Sequence, residues 1–233
     1  MRLSLPQPDD YIDIHVHEGK PSSGIFIVES LMAHEKHSPE NIPGVAYTFG
    51  IHPWFLDEKN QADQIRSVEN LIDHTGIIAV GEAGFDKLRG PSAELQRKVF
   101  EKQVGLAETY RKPVIIHCVK AWDDLLAARK KMKPTTPWMI HGFRGSVELA
   151  AQLLSKGLYL SVWFEFALRD ESAELIKSLP ADRFFLETDG AEVDIRDIYQ
   201  KVSRDIDMNV EVLKTTIYKN FLNFFNIKAL HTL

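Results

Sequence analysis

An acid and two imidazoles alternate near the start of the chain: Asp13, His15 and His17 in the stretch YIDIHVH. Alternate residues of a strand face the same way, so this segment aims three metal-capable groups at one face and turns Ile12, Ile14 and Val16 to the other. Farther on, short apolar runs end on similar groups. Ile77 to Gly81 leads to Glu82, Val114 to Ile116 leads to His117, Trp138 to Ile140 leads to His141, and Phe184 to Leu186 leads through Glu187 and Thr188 to Asp189. Any one of these reads readily as a core or capping residue. Burying all of them without a partner is costly, and a bound cation is the partner that answers the whole set. Four imidazoles with carboxylates suit Zn, Mn, Fe or Co and suit an all-oxygen calcium cage poorly. The donors exceed one tetrahedral shell, which points to two ions about 3.5–4 Å apart. In that arrangement Glu82 bridges, His15, His17 and Asp189 complete one ion, and His117 and His141 complete the other.

The elements that must position these groups alternate from end to end. Strands are expected at 11–17, 24–29, 45–51, 77–82, 114–118, 138–143, 158–164 and 184–189. Most are apolar throughout, as strands buried on both faces of a parallel sheet are. Helical spacing recurs at 61–73, 93–111, 122–132, 146–156, 171–178 and 195–204, while 30–43 reads as loop. Eight such units in 233 residues predict an α/β protein, a single (β/α)8 TIM-type barrel over 1–233. A C-terminal helix at about 210–226 carries Leu213, Ile217, Phe221, Phe224 and Phe225 as an inward stripe that seals the barrel. In a parallel barrel, groups at the carboxyl ends of strands meet at one mouth. The six donors come from five such ends.

Composition sets outer bounds. The 44% hydrophobic and 26% charged content is that of an ordinary globular protein, and no apolar stretch is long enough to span a membrane. The opening MRLSLPQPDDYID lacks the apolar core of a signal peptide, and the one cysteine, Cys118, suits a reducing compartment, so a cytoplasmic location is expected. A net charge of −5 argues against a broad basic platform but leaves a metal-loaded nuclease open. No obligate protein partner is evident.

The ordered set DIHVH, Gly50-Ile51-His52-Pro53, Gly81-Glu82-Ala83-Gly84-Phe85-Asp86, Gln96 to Gln103 around Phe100, Ile116-His117, His141-Gly142-Phe143-Arg144-Gly145-Ser146 and Glu187-Thr188-Asp189 resembles the TatD family of metal-dependent deoxyribonucleases, in the amidohydrolase-like barrel superfamily. The resemblance runs from about 11 to 226. It implies a TIM-type barrel that hydrolyses phosphodiester bonds of DNA with a metal-activated water. It also implies that His15, His17, Glu82, His117, His141 and Asp189 hold two divalent ions (Zn, Mn, Mg, Fe or Co), with Asp189 orienting and deprotonating the water and Glu82 shared between the ions.

The departures concern the groups that would hold phosphate. The arginine common two places after the strand-five histidine is here Val119, followed by Lys120. The usual serine of HCFSG is Arg144, the proline after ETD is absent, and so is the family's Arg-Asn-Glu-Pro stretch. Lys120 and Arg144 are therefore the expected phosphate contacts, and His52 is a candidate substrate contact. Asp13 and Glu187 share the parity of His15 and Asp189 and are expected to support them by hydrogen bonds. Trp54 sits where it could stack on a base, and Cys118 reads as a small core residue. His34, His37, His74 and His231 read as surface groups. Besides DNA, another phosphate ester or an amide fits such a centre, as does a barrel that keeps its metal only to bind a partner. An amide hydrolase of the wider superfamily commonly carries a carbamylated lysine where this chain has Glu82.

Overall fold

Ile77–Val80 and Val114–Ile116 are buried along their whole length, so the strands that contain them are covered on both faces. That burial requires helices on the outside of a parallel sheet. The computed structural model describes residues 4–35 and 37–227. Its strands are β1 (Tyr11–Val16), β2 (Ile25–Met32), β3 (Val45–Gly50), β4 (Ile77–Asp86), β5 (Val114–Val119), β6 (Trp138–Phe143), β7 (Tyr159–Val162) and β8 (Phe184–Leu186). They form one eight-stranded sheet in chain order, the order of the expected (β/α)8 barrel. The helices are α1 (Gln61–Leu71), α2 (Ala93–Tyr110), α3 (Trp122–Met132), α4 (Val147–Ser155), α5 (Phe164–Ala167), α6 (Ser172–Ser178), α7 (Ile195–Asp205) and α8 (Val210–Phe224). Ser92, Ser146, Asp194 and Asn209 cap α2, α4, α7 and α8 by accepting backbone N–H groups of the first turn.

Four strands, β2, β4, β7 and β8, end two or more residues from the sequence expectation. Strand β4 continues past Glu82 to Asp86. Strand β7 stops at Val162, because Trp163 caps the short helix α5. Strand β8 stops at Leu186, so Glu187, Thr188 and Asp189 leave the sheet. Strand β2 takes up the first residues of the stretch read as loop, and no helix follows it among the described residues up to β3. His34 and His37 are exposed, and His231 lies outside the described residues.

By internal contacts the chain divides into two compact units. The first comprises Ser30–Asn41 and Tyr47–Ile140. The second comprises Ser4–Glu29, Ile42–Ala46 and the chain from His141 onward.

In the second unit, the expected C-terminal stripe is buried as a set: Leu213, Ile217, Phe221, Phe224 and Phe225. Phe221 meets Phe26 of β2 edge-on at 5.4 Å, and Phe224 meets Tyr159 of β7 at 5.0 Å. Side chains close the free edge of β1. The Tyr199 hydroxyl accepts from the Ile12 N–H at 3.1 Å and donates to the Ile12 carbonyl at 3.0 Å. Burial pushes that phenol well above its usual range, which keeps it a neutral donor and acceptor. Tyr199→Phe leaves two buried backbone groups without partners and is expected to cost roughly 2–4 kcal/mol. Thermal unfolding would show this as a fall in Tm of about 5–15 °C for a chain of this size.

In the first unit, Glu108 on α2 ties down the turn before β6. Its carboxylate accepts from the N–H and hydroxyl groups of both Thr135 and Thr136. Burial alone would raise this carboxyl, but those four donors hold it at about 2. A carboxylate depressed in the folded state stabilises it above the unfolded pKa of about 4.3, and the contribution is lost as pH falls toward 2. Glu108→Gln is therefore expected to unfold more readily than wild type at pH 7, with the difference shrinking steadily below about pH 4. Urea melts at both pH values check this.

Candidate metal centre

The candidate ligand atoms of the second unit lie close together. His15, on β1, is fully buried, and His17 lies just past the strand end. The Nε2 atoms of both rings stand 3.5 Å from Asp189 Oδ1. His141, from β6, lies against His15 with ring centroids 4.2 Å apart. The donor atoms of His15, His141 and Asp189 are all within 4.8 Å of one another. Two ligands about 2.1 Å from one tetrahedral ion stand about 3.4 Å apart, whereas N–H···O bonds cluster near about 2.9 Å. Both separations to Asp189 match the edge of a coordination tetrahedron better than a hydrogen bond. The donor chemistry, three imidazoles and one carboxylate, fits a divalent transition ion.

Main-chain and carboxylate contacts hold this set. The Asp189 N–H donates to the His15 carbonyl at 3.0 Å, which fixes the aspartate backbone with φ 53°, a conformation that Asp tolerates better than most residues. Asp13 accepts from the Thr188 N–H at 3.0 Å and from its hydroxyl at 2.6 Å. Burial raises the Asp13 carboxyl to about 7 against the pull of those bonds. Asp13 thus anchors the segment that carries Asp189. Glu187, fully buried, accepts from the Gly142 N–H at 2.6 Å, and the same oxygen lies 3.7 Å from His141 Nδ1.

The first unit carries Glu82 and His117. Both ring nitrogens of His117 face carboxylates: Nδ1 is 3.0 Å from Glu82 Oε1, and Nε2 is 3.0 Å from Asp86 Oδ2. Asp86 also takes the Trp54 indole N–H at 2.6 Å and the N–H groups of Leu88 and Arg89. Burial alone would raise its carboxyl, but the bonds from Trp54 and His117 hold it below the usual carboxylate range. With a proton of His117 given to Asp86, the Nδ1 lone pair points at a Glu82 oxygen. Two acceptors at that distance call for a proton or a cation between them. His52 accepts the Trp54 N–H on Nδ1 at 3.0 Å, so its Nε2 carries the proton and faces Glu82 Oε1 at 3.2 Å. That tautomer makes His52 a donor rather than a ligand.

The family model of TatD related DNases matches residues 27–226. The chain belongs to the TatD family. It is 36% identical over 150 residues to the human 3'-5' RNA nuclease TATDN2, a match that covers 60% of this chain and 19% of that protein. A metal-dependent hydrolase of Methanocaldococcus jannaschii, itself uncharacterized, is 27% identical over 88% of this chain and 84% of its own length. Among solved structures, a TatD homologue of Escherichia coli k12 superposes with a TM-score of 0.77 at 19% identity, covering 94% of this chain and 99% of that one.

This TatD chain holds Arg144 and Lys120 at exposed positions. The Arg144 guanidinium lies 4.5 Å from the centre of the Trp163 ring, which fixes a flexible side chain at low entropic cost. Lys120 directly follows β5 with φ 51°. Cys118 is half-buried, and burial pushes its thiol up to about 12, so it is no nucleophile near neutral pH.

Reading along the sequence left three residues of this TatD chain, Asp86, Gln96 and Gln103, without a defined role. Asp86 orients His117, and its signal was parity with Glu82 on one strand. Gln96 holds Asp86 in turn, accepting its N–H at 2.8 Å and donating to its carbonyl at 2.9 Å. Gln103 does the same for Ile51, next to His52. The paired glutamines on α2 are thus backbone clamps for two strand ends.

Proposed function

We propose that this chain is a divalent-metal-dependent phosphodiesterase acting on DNA or RNA strands. The observation that carries the reading is the pair of 3.5 Å separations from Asp189 Oδ1 to His15 and His17. In the second unit, His15, His17, His141 and Asp189 would hold one ion, with His141 moved from the ion it was expected to share with His117 because it lies against His15. In the first, Glu82 and His117 would hold another, which makes two in all. Bound ions would supply a water acidic enough to attack at neutral pH and would offset phosphate charge. Asp189 would orient that water and take its proton as the water oxygen bonds to phosphorus, and the departing ester oxygen would keep the electron pair of the broken P–O bond and take a proton from solvent. Arg144, laid on Trp163, and Lys120 hold non-bridging phosphate oxygens. His52 offers its Nε2–H to the substrate or to Glu82.

The family carries deoxyribonuclease in its description, and the human relative is an RNA nuclease, so both sugars belong in the assay. Metal-free protein would be loaded with Mg, Mn, Zn or Co and given single-stranded DNA, RNA and base-free methyl p-nitrophenyl phosphate. Metal-dependent release of nucleotide, abolished by EDTA, is expected. Absence of turnover on all three, with metal shown to be bound by elemental analysis, overturns the phosphodiesterase reading in favour of a metal-retaining binding protein. Among the described residues, no helix is long and apolar enough to cross a membrane.

A further inference from the structure

Trp54 is a large aromatic side chain left 38% exposed, yet it is firmly held. It belongs to a short 3-10 segment, Pro53–Phe55, that follows His52. Its backbone N–H goes to His52 and its indole N–H to Asp86, while the side-chain amides of Asn60 and Gln64 fasten the Phe55 carbonyl. These bonds tie the ring by its edge, and His52 and His117 meet it nearly perpendicular with centroids 4.9 and 5.4 Å away. Arg89 lies over the indole with its guanidinium 4.1 Å from the ring centre. Lys87 in the same loop is paired with Asp124 at 3.3 Å, which leaves Arg89 as the cation beside the ring. Asp86 Oδ2 joins the Trp54 indole to His117 Nε2, placing the ring one hydrogen-bonded step from a candidate ligand.

We infer that Trp54 and Arg89 form a stacking subsite for one unpaired base of a single-stranded nucleic acid, with Arg89 contacting the adjoining phosphate. The inference rests on the phosphodiesterase reading and adds to it the place where a base is held. An aromatic face beside a cation suits any base of a single strand. A base inside a duplex is already stacked on both sides and must be extruded first.

Binding separates this from catalysis. The metal-loaded protein is titrated into a fluorescein-labelled, phosphorothioate-linked dT ten-mer, and into the same strand built of abasic spacers, with anisotropy as the readout. Wild type and Trp54→Phe are expected to bind the base-bearing strand about tenfold tighter than the abasic one, and Trp54→Leu to bind both alike. Equal affinity of wild type for the two strands, or a Trp54→Leu protein that keeps the contrast, overturns the subsite. Should Trp54→Leu fail to fold, Arg89→Gln serves. It is expected to weaken binding of both strands and to reduce the salt slope of log Kd by about 0.7, and an unchanged slope overturns the phosphate contact. Hydrolysis of methyl p-nitrophenyl phosphate is followed in parallel. Its absence in wild type would sink the phosphodiesterase reading, whereas the contrast between strands reports on stacking alone.

Discussion

Gly84→Ala is expected to be the most damaging single methyl group that can be added to this chain. Gly84 pairs with His117 across β4 and β5, and a Cβ there would stand 2.0 Å from the His117 carbonyl oxygen. The residue also has φ 151°, which L side chains rarely adopt. Neither strand can yield, because both are buried, so the loss should be on the order of 3–5 kcal/mol. Any folded remainder would hold His117 displaced from Glu82 and Asp86. Differential scanning calorimetry and metal content read both effects. Gly105→Ala is the control: it lies within α2, nothing is within 4 Å of the added atom, and the change should stabilise by about 0.5–1 kcal/mol. A Gly84→Ala protein as stable as wild type would mean that the β4–β5 approach is not as tight as described.

Asp189→Asn is expected to lower kcat for phosphodiesters by about 10²–10⁴-fold while leaving the fold intact. Asparagine also tolerates positive φ, and the main-chain bond to the His15 carbonyl does not depend on the carboxylate. What is lost is the proton acceptor and one anionic ligand. Single-turnover assays with metal occupancy measured alongside separate the two. Retention of turnover within about tenfold at full occupancy would remove Asp189 from the role of base.

The alternation of strand and helix was legible because buried parallel strands are apolar on both faces and helices on one stripe. Ile77–Val80 and the stripe from Leu213 to Phe225 are the clearest cases. Alternation within YIDIHVH grouped Asp13 with His15, but it could not reveal that Asp13 bonds to Thr188, far along the chain. Strand β8 ends at Leu186, so Glu187 and Asp189 are placed by turn geometry, which strand parity does not describe. Nor could spacing show that His141 lies against His15, since ring packing between β1 and β6 depends on tilt. The clamps made by Gln96 and Gln103 were visible only as a repeated residue type. A side-chain amide that satisfies a backbone N–H and C=O leaves no periodic signature.

The bond from the Asp189 N–H to the His15 carbonyl, braced by Asp13 on Thr188, belongs wholly to the polypeptide. The spacing of the donors on these two segments is therefore expected to be set by the polypeptide rather than by a cation. A cation entering such a ready-made socket pays little of the ordering entropy that a flexible chelator would. Stripping it should leave the fold standing and lower Tm only by the mass-action amount set by its free concentration and Kd. The protein would then behave as a rigid receptor whose metal is chosen by supply and donor chemistry, exchanging one ion for another without unfolding.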